Sequence, residues 1–358
     1  MSKGISIFLG MDYTLEENIK YMEKAKKEGF DRIFTSLHIP EANYVEIIEE
    51  FKYIIEKAKE LEMIVIADIS PSGFKFLGLE HKDLKGIKKL GVDVLRIDFG
   101  FSCEDIAEFT RNDYGVKTEI NASTVTEKFL KEFESFNPNY DNMQACHNYY
   151  PRINTGISVE SFKRKNKLLN KYGVKISAFV PSLINKRGPI YEGLPTLEIH
   201  RFNPPRISAK HLYALGIHSV FFGDSIASDK ELLGVGKLRE DLIEFDIEVL
   251  TNSDLEKRIL FRDFHSNRSD SAEDVIRSVE SRLEVNKDNK ISESNNILRK
   301  KGYITIDNDN YLRYSGELQI CKKDLPEDKR VNVVGKIKNE ELFLLDLIED
   351  DSKFSFIE

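Results

Sequence analysis

The sequence lacks the features that mark several large classes of protein. Its three cysteines, Cys103, Cys146 and Cys321, lie far apart and form no CxxC pair, which argues against a disulfide framework and a thiolate zinc site and fits a reducing compartment. No apolar run approaches the roughly 20 residues of a membrane span, and residues 1–10 do not have the pattern of a signal peptide. We therefore expect a cytoplasmic protein.

Positive charge is in the minority. The chain has 53 Lys plus Arg against 61 Asp plus Glu, so its formal net charge is -8. No overall basic field is present to attract nucleic acid or a membrane surface, and we expect neither as a partner. An anionic ligand would instead need a local cluster of cations. The 358 residues are enough for two domains.

The sequence does contain a regular alternation of short β-branched runs with amphipathic stretches, which is typical of βα units. In the first unit a T-x-x-E capping box, Thr14 to Glu17, opens the helix. No GxGxxG follows the first strand, as a dinucleotide-binding sheet would require. Eight units predict an α/β fold, a (β/α)8 TIM barrel over residues 1–242. The predicted strands are 5–9, 32–37, 63–69, 94–99, 117–121, 142–147, 174–180 and 219–223.

From about residue 243 the pattern changes to β-rich segments separated by turn residues. This change predicts a second, small all-β domain over residues 243–358. Within it, the polar stretch 285–301 is expected to be a long surface loop, with a disordered segment as the alternative. The predicted strands of this domain are 247–251, 257–263, 302–306, 312–320 and 331–337.

Polar residues that end the barrel strands should gather at one mouth and face a common ligand space. Asp98 and Glu119 stand out, because each lies within an apolar strand context, in RIDFG and TEINAS, where a charge is costly unless it is paired or lines the mouth. The same residue types also cap helices and form turns, which is a real alternative for Asp12 and Asp224. The candidate set is Asp12, Ser36, His38, Asp68, Arg96, Asp98, Glu119, Asn121, His147, Asn148 and Asp224.

His147 lies in the string ACHNYYPR, which ends with Arg152. A lone histidine is often a hydrogen-bonded structural residue, but this string offers donors, stacking faces and a cation together, so we favour ligand binding. No HxH, HExxH or comparable set stands at metal-ligand spacing. We therefore expect no metal and no cofactor.

The loop after the seventh strand, residues 182–202, is long for a βα loop, and such loops tend to be lids or binding loops. It carries Lys186, Arg187, Glu192 and Arg201, and Arg206 follows it. Barrels commonly bind phosphate in this region, so these cations predict an anionic small molecule, although a solvated charged loop is the alternative. The string FRDFHSNRSD in the small domain, with His265, Asn267, Arg268 and Asp270, either completes the pocket or forms only a turn.

Eight sequence motifs occur in order along the chain: SIFLGMD, GFDRIFTSLHIPE, VLRIDFGF, EINAST, ACHNYYPR, RGPIYEGLPTLE, FFGDS and FHSNRSD. They closely resemble a family once labelled outer surface protein, whose members include the 6-phospho-N-acetylmuramidases of peptidoglycan recycling. The resemblance covers essentially the whole chain. It implies a TIM barrel, a C-terminal cyclophilin-like domain and a cytoplasmic hydrolase. The implied substrate is N-acetylmuramic acid 6-phosphate β-1,4-linked to N-acetylglucosamine.

The implied substrate carries a phosphate and a lactyl carboxylate, for which Arg152, Lys186, Arg187 and Arg268 are available cations. Glycoside cleavage usually needs two carboxyl groups, and Asp98 with Glu119 is the first pair, on strands about 4.8 Å apart.

Many barrel glycosidases instead carry a nucleophile at the seventh strand. Here that strand ends AFVPS, and Glu192 is the carboxylate that follows it. Retaining, inverting and N-acetyl-assisted mechanisms remain open, with Asp12 and Asp68 in reserve.

Two other functions remain alternatives. One is a sugar-phosphate aldolase or isomerase, although no lysine ends a strand as a Schiff-base aldolase requires. The other is a sugar-phosphate sensor whose small domain reports occupancy. A homodimer is compatible with the frequency of symmetric dimers among soluble oligomers.

Overall fold

The computed structural model describes residues 2–36, 44–285 and 289–358, and it divides into two compact units, Met1–Leu238 and Arg239–Glu358. The first unit is a closed barrel in which eight parallel strands follow one another in chain order. This confirms the predicted TIM barrel. Leu37 and His38, at the end of the second predicted strand, lie outside the described residues. The strands are β1 (Ser2–Ile7), β2 (Arg32–Ser36), β3 (Ile64–Asp68), β4 (Val94–Ile97), β5 (Lys117–Asn121), β6 (Met143–Cys146), β7 (Lys175–Val180) and β8 (Ser219–Phe222).

Helices follow the strands and pack around the barrel. The predicted capping box opens α1: Glu17 Oε2 accepts from the Thr14 amide at 2.8 Å and the Thr14 hydroxyl accepts from the Glu17 amide. Helix α3 was not predicted, since its six residues are too few for a periodic pattern; Ser70 caps it and Pro71 occupies its first turn. The helices are α1 (Leu15–Lys27), α2 (Tyr44–Glu60), α3 (Pro71–Phe76), α4 (Leu84–Leu90), α5 (Cys103–Thr110), α6 (Glu127–Glu134), α7 (Val159–Asn170), α8 (Pro205–Ala214) and α9 (Asp229–Gly236).

Alternation along the strands divides the barrel's apolar residues between two cores. Outward-facing residues such as Ile5, Ile33 and Val65 pack against the helices in one large cluster. Inward-facing residues fill the barrel in a second cluster that includes Phe8, Phe34, Ile66, Val94, Cys146, Phe179 and Phe221. The interior is therefore packed rather than hollow, and a ligand has space only at its ends.

The second unit is built on a seven-stranded sheet in the order β10-β15-β9-β14-β12-β13-β11, which agrees with the predicted β-rich domain. The predicted strand 257–263 is wrong. Residues Asp254–Leu260 form helix α10 instead, because Ser253 caps it and Leu255, Ile259 and Leu260 are buried at helical spacing. The strands are β9 (Ile243–Val249), β10 (His265–Ser266), β11 (Val275–Arg277), β12 (Tyr303–Asp307), β13 (Leu318–Cys321), β14 (Val331–Ile337) and β15 (Lys353–Ile357).

No helix in the described part of the chain is long and apolar enough to cross a lipid bilayer.

Candidate active site at the barrel mouth

A buried arginine organises the carboxyl end of the barrel. Arg96, on β4, is 2% exposed, and its guanidinium reaches across to the neighbouring strands. Its Nη1 donates to the Cys146 carbonyl oxygen at 3.1 Å, and its Nη2 donates to Asn148 Oδ1 at 2.5 Å. These bonds orient Arg96 toward the mouth and place the Asn148 amide beside it.

Glu119 is enclosed beside Arg96 inside the barrel and has no exposed surface at the mouth. It is 0% exposed; Oε1 accepts from Arg96 Nη1 at 3.1 Å, and Oε2 accepts from Gln144 Nε2 at 2.6 Å. The register explains this depth, since Glu119 pairs with Arg96 on β4 and Gln144 on β6. Both Glu119 oxygens are occupied and none of its surface is exposed, so the structure does not place it with Asp98 in one open ligand space; its catalytic role stays a prediction.

Two carboxylates do lie at the mouth. Asp98, just after β4, has a side chain that is 31% exposed, and its Oδ1 accepts from Asn121 Nδ2 at 2.7 Å and lies 4.0 Å from Arg96 Nη2. Asp68 ends β3 in register with Arg96 and is half-buried; the Ser36 hydroxyl donates to its Oδ2 at 3.4 Å. Arg96 thus stands between two acidic groups, with Asn121 and Ser36 as their polar partners.

An aromatic cluster forms the floor of the mouth, and one arginine of the β7–α8 loop lies over it. The rings of Phe8, Phe34, Tyr149 and Phe179 pack edge to face, with centroids 5.1–6.4 Å apart. The Arg187 guanidinium lies 4.3 Å from the Phe8 centroid and donates to the Tyr149 hydroxyl at 3.2 Å. Within the described residues its guanidinium forms no ion pair with a carboxylate, so it can still contact an anion.

The β7–α8 loop is held over the mouth by two aspartates. Asp224 is 0% exposed and accepts from the amides of Ser182, Arg187 and Leu194 at 2.8–3.2 Å. Burial raises the pKa of its carboxyl, and the backbone donors act in the opposite direction. Asp224 therefore anchors the loop, and its predicted contact with substrate stays a prediction.

Asp12 is the second anchor and remains exposed. Its Oδ2 accepts from the Gly188 amide at 2.9 Å, and its Oδ1 accepts from the Tyr191 hydroxyl at 2.6 Å. Gly188 is close to these groups: a Cβ at this position would lie 2.8 Å from the Tyr191 hydroxyl oxygen. Asp12 thus fixes the turn that carries Arg187, and it does not cap the first helix, which Thr14 does.

Arg201 illustrates a role that the sequence did not reveal. This residue is 0% exposed; it pairs with Glu198 at 2.7 Å and donates to the carbonyl oxygens of Gly193, Tyr150 and Arg152. It ties the β6–α7 loop to the β7–α8 loop, so its charge is not available to a ligand.

The remaining charged residues of these loops differ in whether their side chains already have a hydrogen-bond partner. Arg152 is exposed, and its guanidinium has no hydrogen bond or ion pair within residues 2–36, 44–285 and 289–358. Lys186 lies 5.5 Å from the exposed Phe202 ring. Glu192 Oε2 accepts from the Ile153 amide at 2.8 Å, which holds the two loops together. Arg206 donates to the Gly234 carbonyl oxygen at 3.0 Å.

His147 does not face the mouth. It is 0% exposed and stacks on Phe162 of α7, with centroids 4.4 Å apart. Its ring nitrogens bond to Ser123 Oγ at 3.0 Å and Asn166 Oδ1 at 2.8 Å, and burial lowers its pKa to about 4. The structure gives this ring no exposed surface, and its role in ligand binding stays a prediction. Its contribution is indirect, because Ser123 Oγ also accepts from the Asn148 amide.

His147 predicts a pH dependence of stability. The neutral ring is retained in the folded state down to about pH 4, whereas the unfolded chain takes up the proton near pH 6.5. The contribution of the neutral His147 ring to the free energy of unfolding is therefore full above pH 6.5 and is lost as the pH falls toward 4. Between pH 7 and pH 5, we expect the wild type to lose about 2 kcal/mol more unfolding free energy than His147→Gln, as measured by urea denaturation. Exposed His81→Gln is the matched control, and equal losses in all three proteins would contradict the prediction.

Arg268 belongs to the second unit, where its Nε donates to Asp270 Oδ1 at 2.6 Å. Its contribution to the substrate pocket stays a prediction. Among the described residues, no group of three or more His, Cys, Asp or Glu is arranged to hold a metal ion.

Comparison with known proteins assigns the chain to a family. A family model described as 6-phospho-N-acetylmuramidase, N-terminal, matches residues 3–237, and one described as 6-phospho-N-acetylmuramidase, C-terminal, matches residues 243–357. The chain belongs to the 6-phospho-N-acetylmuramidase family. This confirms the resemblance found in the sequence, and it makes the protein a glycoside hydrolase.

Two solved structures are similar to this 6-phospho-N-acetylmuramidase family member over its full length. An uncharacterized B. cereus protein is 35% identical, with 100% of this chain and 99% of that chain covered and a TM-score of 0.87. A conserved protein of unknown function from Enterococcus faecalis is also 35% identical, with 100% and 96% covered and a TM-score of 0.71. No curated protein sequence matches the chain.

Proposed function

We propose that the protein hydrolyses the β-1,4 bond between N-acetylmuramic acid 6-phosphate and N-acetylglucosamine, as a step of peptidoglycan recycling in the cytoplasm. The observation that carries this proposal is the presence, at one mouth, of the Asp68 and Asp98 carboxylates together with the Arg187 guanidinium, which forms no ion pair within the described residues. The family name supports a phosphorylated muramic sugar as the substrate.

Arg187 is the proposed anion-binding residue. Its position over the Phe8 and Tyr149 rings holds the planar guanidinium in one orientation, which favours a two-point contact with phosphate or the lactyl carboxylate. Its backbone is fixed by Asp224, whose Oδ1 accepts from the Arg187 amide at 2.9 Å. Arg152 and Lys186, on the joined loops, supply further positive charge for the second anionic group.

Asp68 and Asp98 are the proposed catalytic carboxyl groups. Glycoside hydrolysis needs one carboxyl group that gives a proton to the leaving oxygen and another that acts as a nucleophile or activates water. Asp98 is partly exposed and Asp68 is half-buried, on either side of Arg96, whereas Glu119 is fully buried beside it. We therefore keep Asp98 from the first predicted pair, replace its partner with Asp68, and assign Glu119 a positioning role through Arg96.

The proposal predicts a specific kinetic defect for Arg187→Gln. The Arg187 contact is charge-assisted and is expected in both the ground state and the transition state. Its loss should therefore raise KM for the phosphorylated disaccharide by about 10- to 100-fold, with a smaller effect on kcat. Steady-state kinetics with the purified protein measures this split. Arg164→Gln, at an exposed site on α7, is the matched control and should behave as the wild type. An unchanged KM in Arg187→Gln would remove Arg187 from the binding site.

A further inference from the structure

A second group of cations lines a cavity at the amino ends of the barrel strands, opposite the mouth. Arg32, Lys117 and Lys175 are the first residues of β2, β5 and β7, and together they line a cavity of about 270 Å³. Each lies two residues before an inward-facing residue of its own strand, so alternation directs all three side chains toward the barrel axis. Three positive charges therefore converge on one opening in a protein whose net charge is -8.

The carboxylate in this lining is already engaged. Asp93 Oδ1 accepts from Lys88 Nζ at 2.8 Å, and its Oδ2 accepts from the Val65 amide at 3.1 Å. It fixes the start of β3 and pairs with a lysine of α4, which leaves the cations of the cavity without an acidic partner in the lining.

The three cations also lack partners elsewhere in the described part of the chain. Lys117 and Lys175 are exposed to solvent at the opening, and neither makes an ion pair or side-chain hydrogen bond there. The Nε atom of Arg32 is shielded from solvent and has no acceptor among the same residues. A buried donor without a protein partner can be satisfied by water or by a bound anion. Like charges that share one opening also repel, and an anion between them would relieve that repulsion.

Neutral polar groups complete the lining. Ser177 and Ser219 are 3% and 4% exposed and add hydroxyl groups to the cavity wall. Ser219 already shares a hydrogen bond with Ser2 at 2.7 Å. Guanidinium, ammonium and hydroxyl donors around one small space match the oxygens of a tetrahedral oxyanion, which takes several charge-assisted hydrogen bonds.

We propose that this cavity, which we call the base site, binds a small doubly charged oxyanion of the phosphate class, either free or carried by a sugar. It is separate from the anion contact proposed for Arg187, since the two stand at opposite ends of the barrel strands. The base site does not depend on the proposed reaction.

Isothermal titration of the full-length protein tests the base site. Inorganic phosphate and glucose 6-phosphate are titrated separately, at constant ionic strength, into four proteins. Two are the wild type and Arg187→Gln, and the other two carry the double substitution Lys117→Gln with Lys175→Gln in each of these backgrounds. We expect the double variant to weaken binding of at least one probe by about tenfold or more in either background. A response to both probes means that free phosphate suffices, and a response to glucose 6-phosphate alone means that the ligand is a sugar phosphate.

Two controls keep the test decisive. Lys163→Gln with Lys167→Gln removes the same charge from the exposed face of α7 and should leave both affinities unchanged. Lys117→Arg with Lys175→Arg keeps the charge and should retain binding, while thermal unfolding verifies that every variant is folded. Affinities in the double Gln variant equal to those of its parent, or an equal loss in the α7 control, would overturn the base site.

Discussion

Asp98→Asn is expected to lower kcat by about three orders of magnitude and leave the fold intact. The carboxyl group opens to the mouth, and one of its oxygens is held by Asn121 at 2.7 Å. Asparagine has nearly the same shape but supplies neither a titratable proton nor an anionic oxygen. Since Asp98 is proposed to act on the reacting atoms, the loss should appear in kcat with little change in KM.

The same experiment on Asp68 tests its proposed partnership with Asp98. Asp68→Asn should show a loss of similar size, because neither carboxyl group alone completes glycoside cleavage. Asp229→Asn is the matched control, as its exposed side chain pairs with Lys24 on the barrel surface. Wild-type turnover in Asp98→Asn or in Asp68→Asn would remove that residue from the proposed pair.

Glu119→Gln is expected to lower the free energy of unfolding by about 3 kcal/mol. The pair with Arg96 is almost completely buried, with side chains 0% and 3% exposed. Glutamine keeps the volume but loses the charge that balances the guanidinium, and its amide group brings donors toward a cation that can only donate. Urea denaturation measures the loss, and Asp229→Asn, which breaks an exposed ion pair, should cost about 0.5 kcal/mol or less.

Chemical rescue separates a positioning role for Glu119 from a catalytic one. In a retaining enzyme whose nucleophile is removed, a small anion such as azide can attack in its place and form a glycosyl azide. Since Glu119 has no open surface, Glu119→Ala with azide should give no such product. A glycosyl azide from Glu119→Ala would return Glu119 to the catalytic pair. In the denaturation experiment, a free energy of unfolding unchanged in Glu119→Gln would contradict the stabilising role of the Glu119–Arg96 ion pair.

The barrel could be predicted from the sequence because its evidence is local. Each βα unit contains a β-branched strand, a helix cap and an apolar pattern with helical periodicity. Eight such units in order match the (β/α)8 barrel. The error at α10 has the same local origin. Residues 257–263 contain several apolar residues, but the Ser253 cap and the spacing of Leu255, Ile259 and Leu260 favour a helix.

The environment of each mouth residue could not be predicted in the same way. The partners of Arg96 lie 23 to 52 positions away, so its pairing with Glu119 and Asn148 depends on register and depth in the barrel. His147 is covered by Phe162 and Asn166 of α7, and Arg201 is enclosed by carbonyl oxygens from two loops. Sequence identifies these as polar residues near strand ends, but only packing decides which of them meet a ligand.

The central claim is cleavage of a phosphorylated muramyl disaccharide, and product identification by mass tests it most directly. The purified protein is incubated with β-1,4-linked N-acetylmuramic acid–N-acetylglucosamine, with and without the 6-phosphate and in the presence or absence of a chelator. Our account predicts release of N-acetylglucosamine and N-acetylmuramic acid 6-phosphate from the phosphorylated substrate alone, at equal rates with and without chelator. Equal cleavage of both disaccharides, or cleavage of neither, would contradict it.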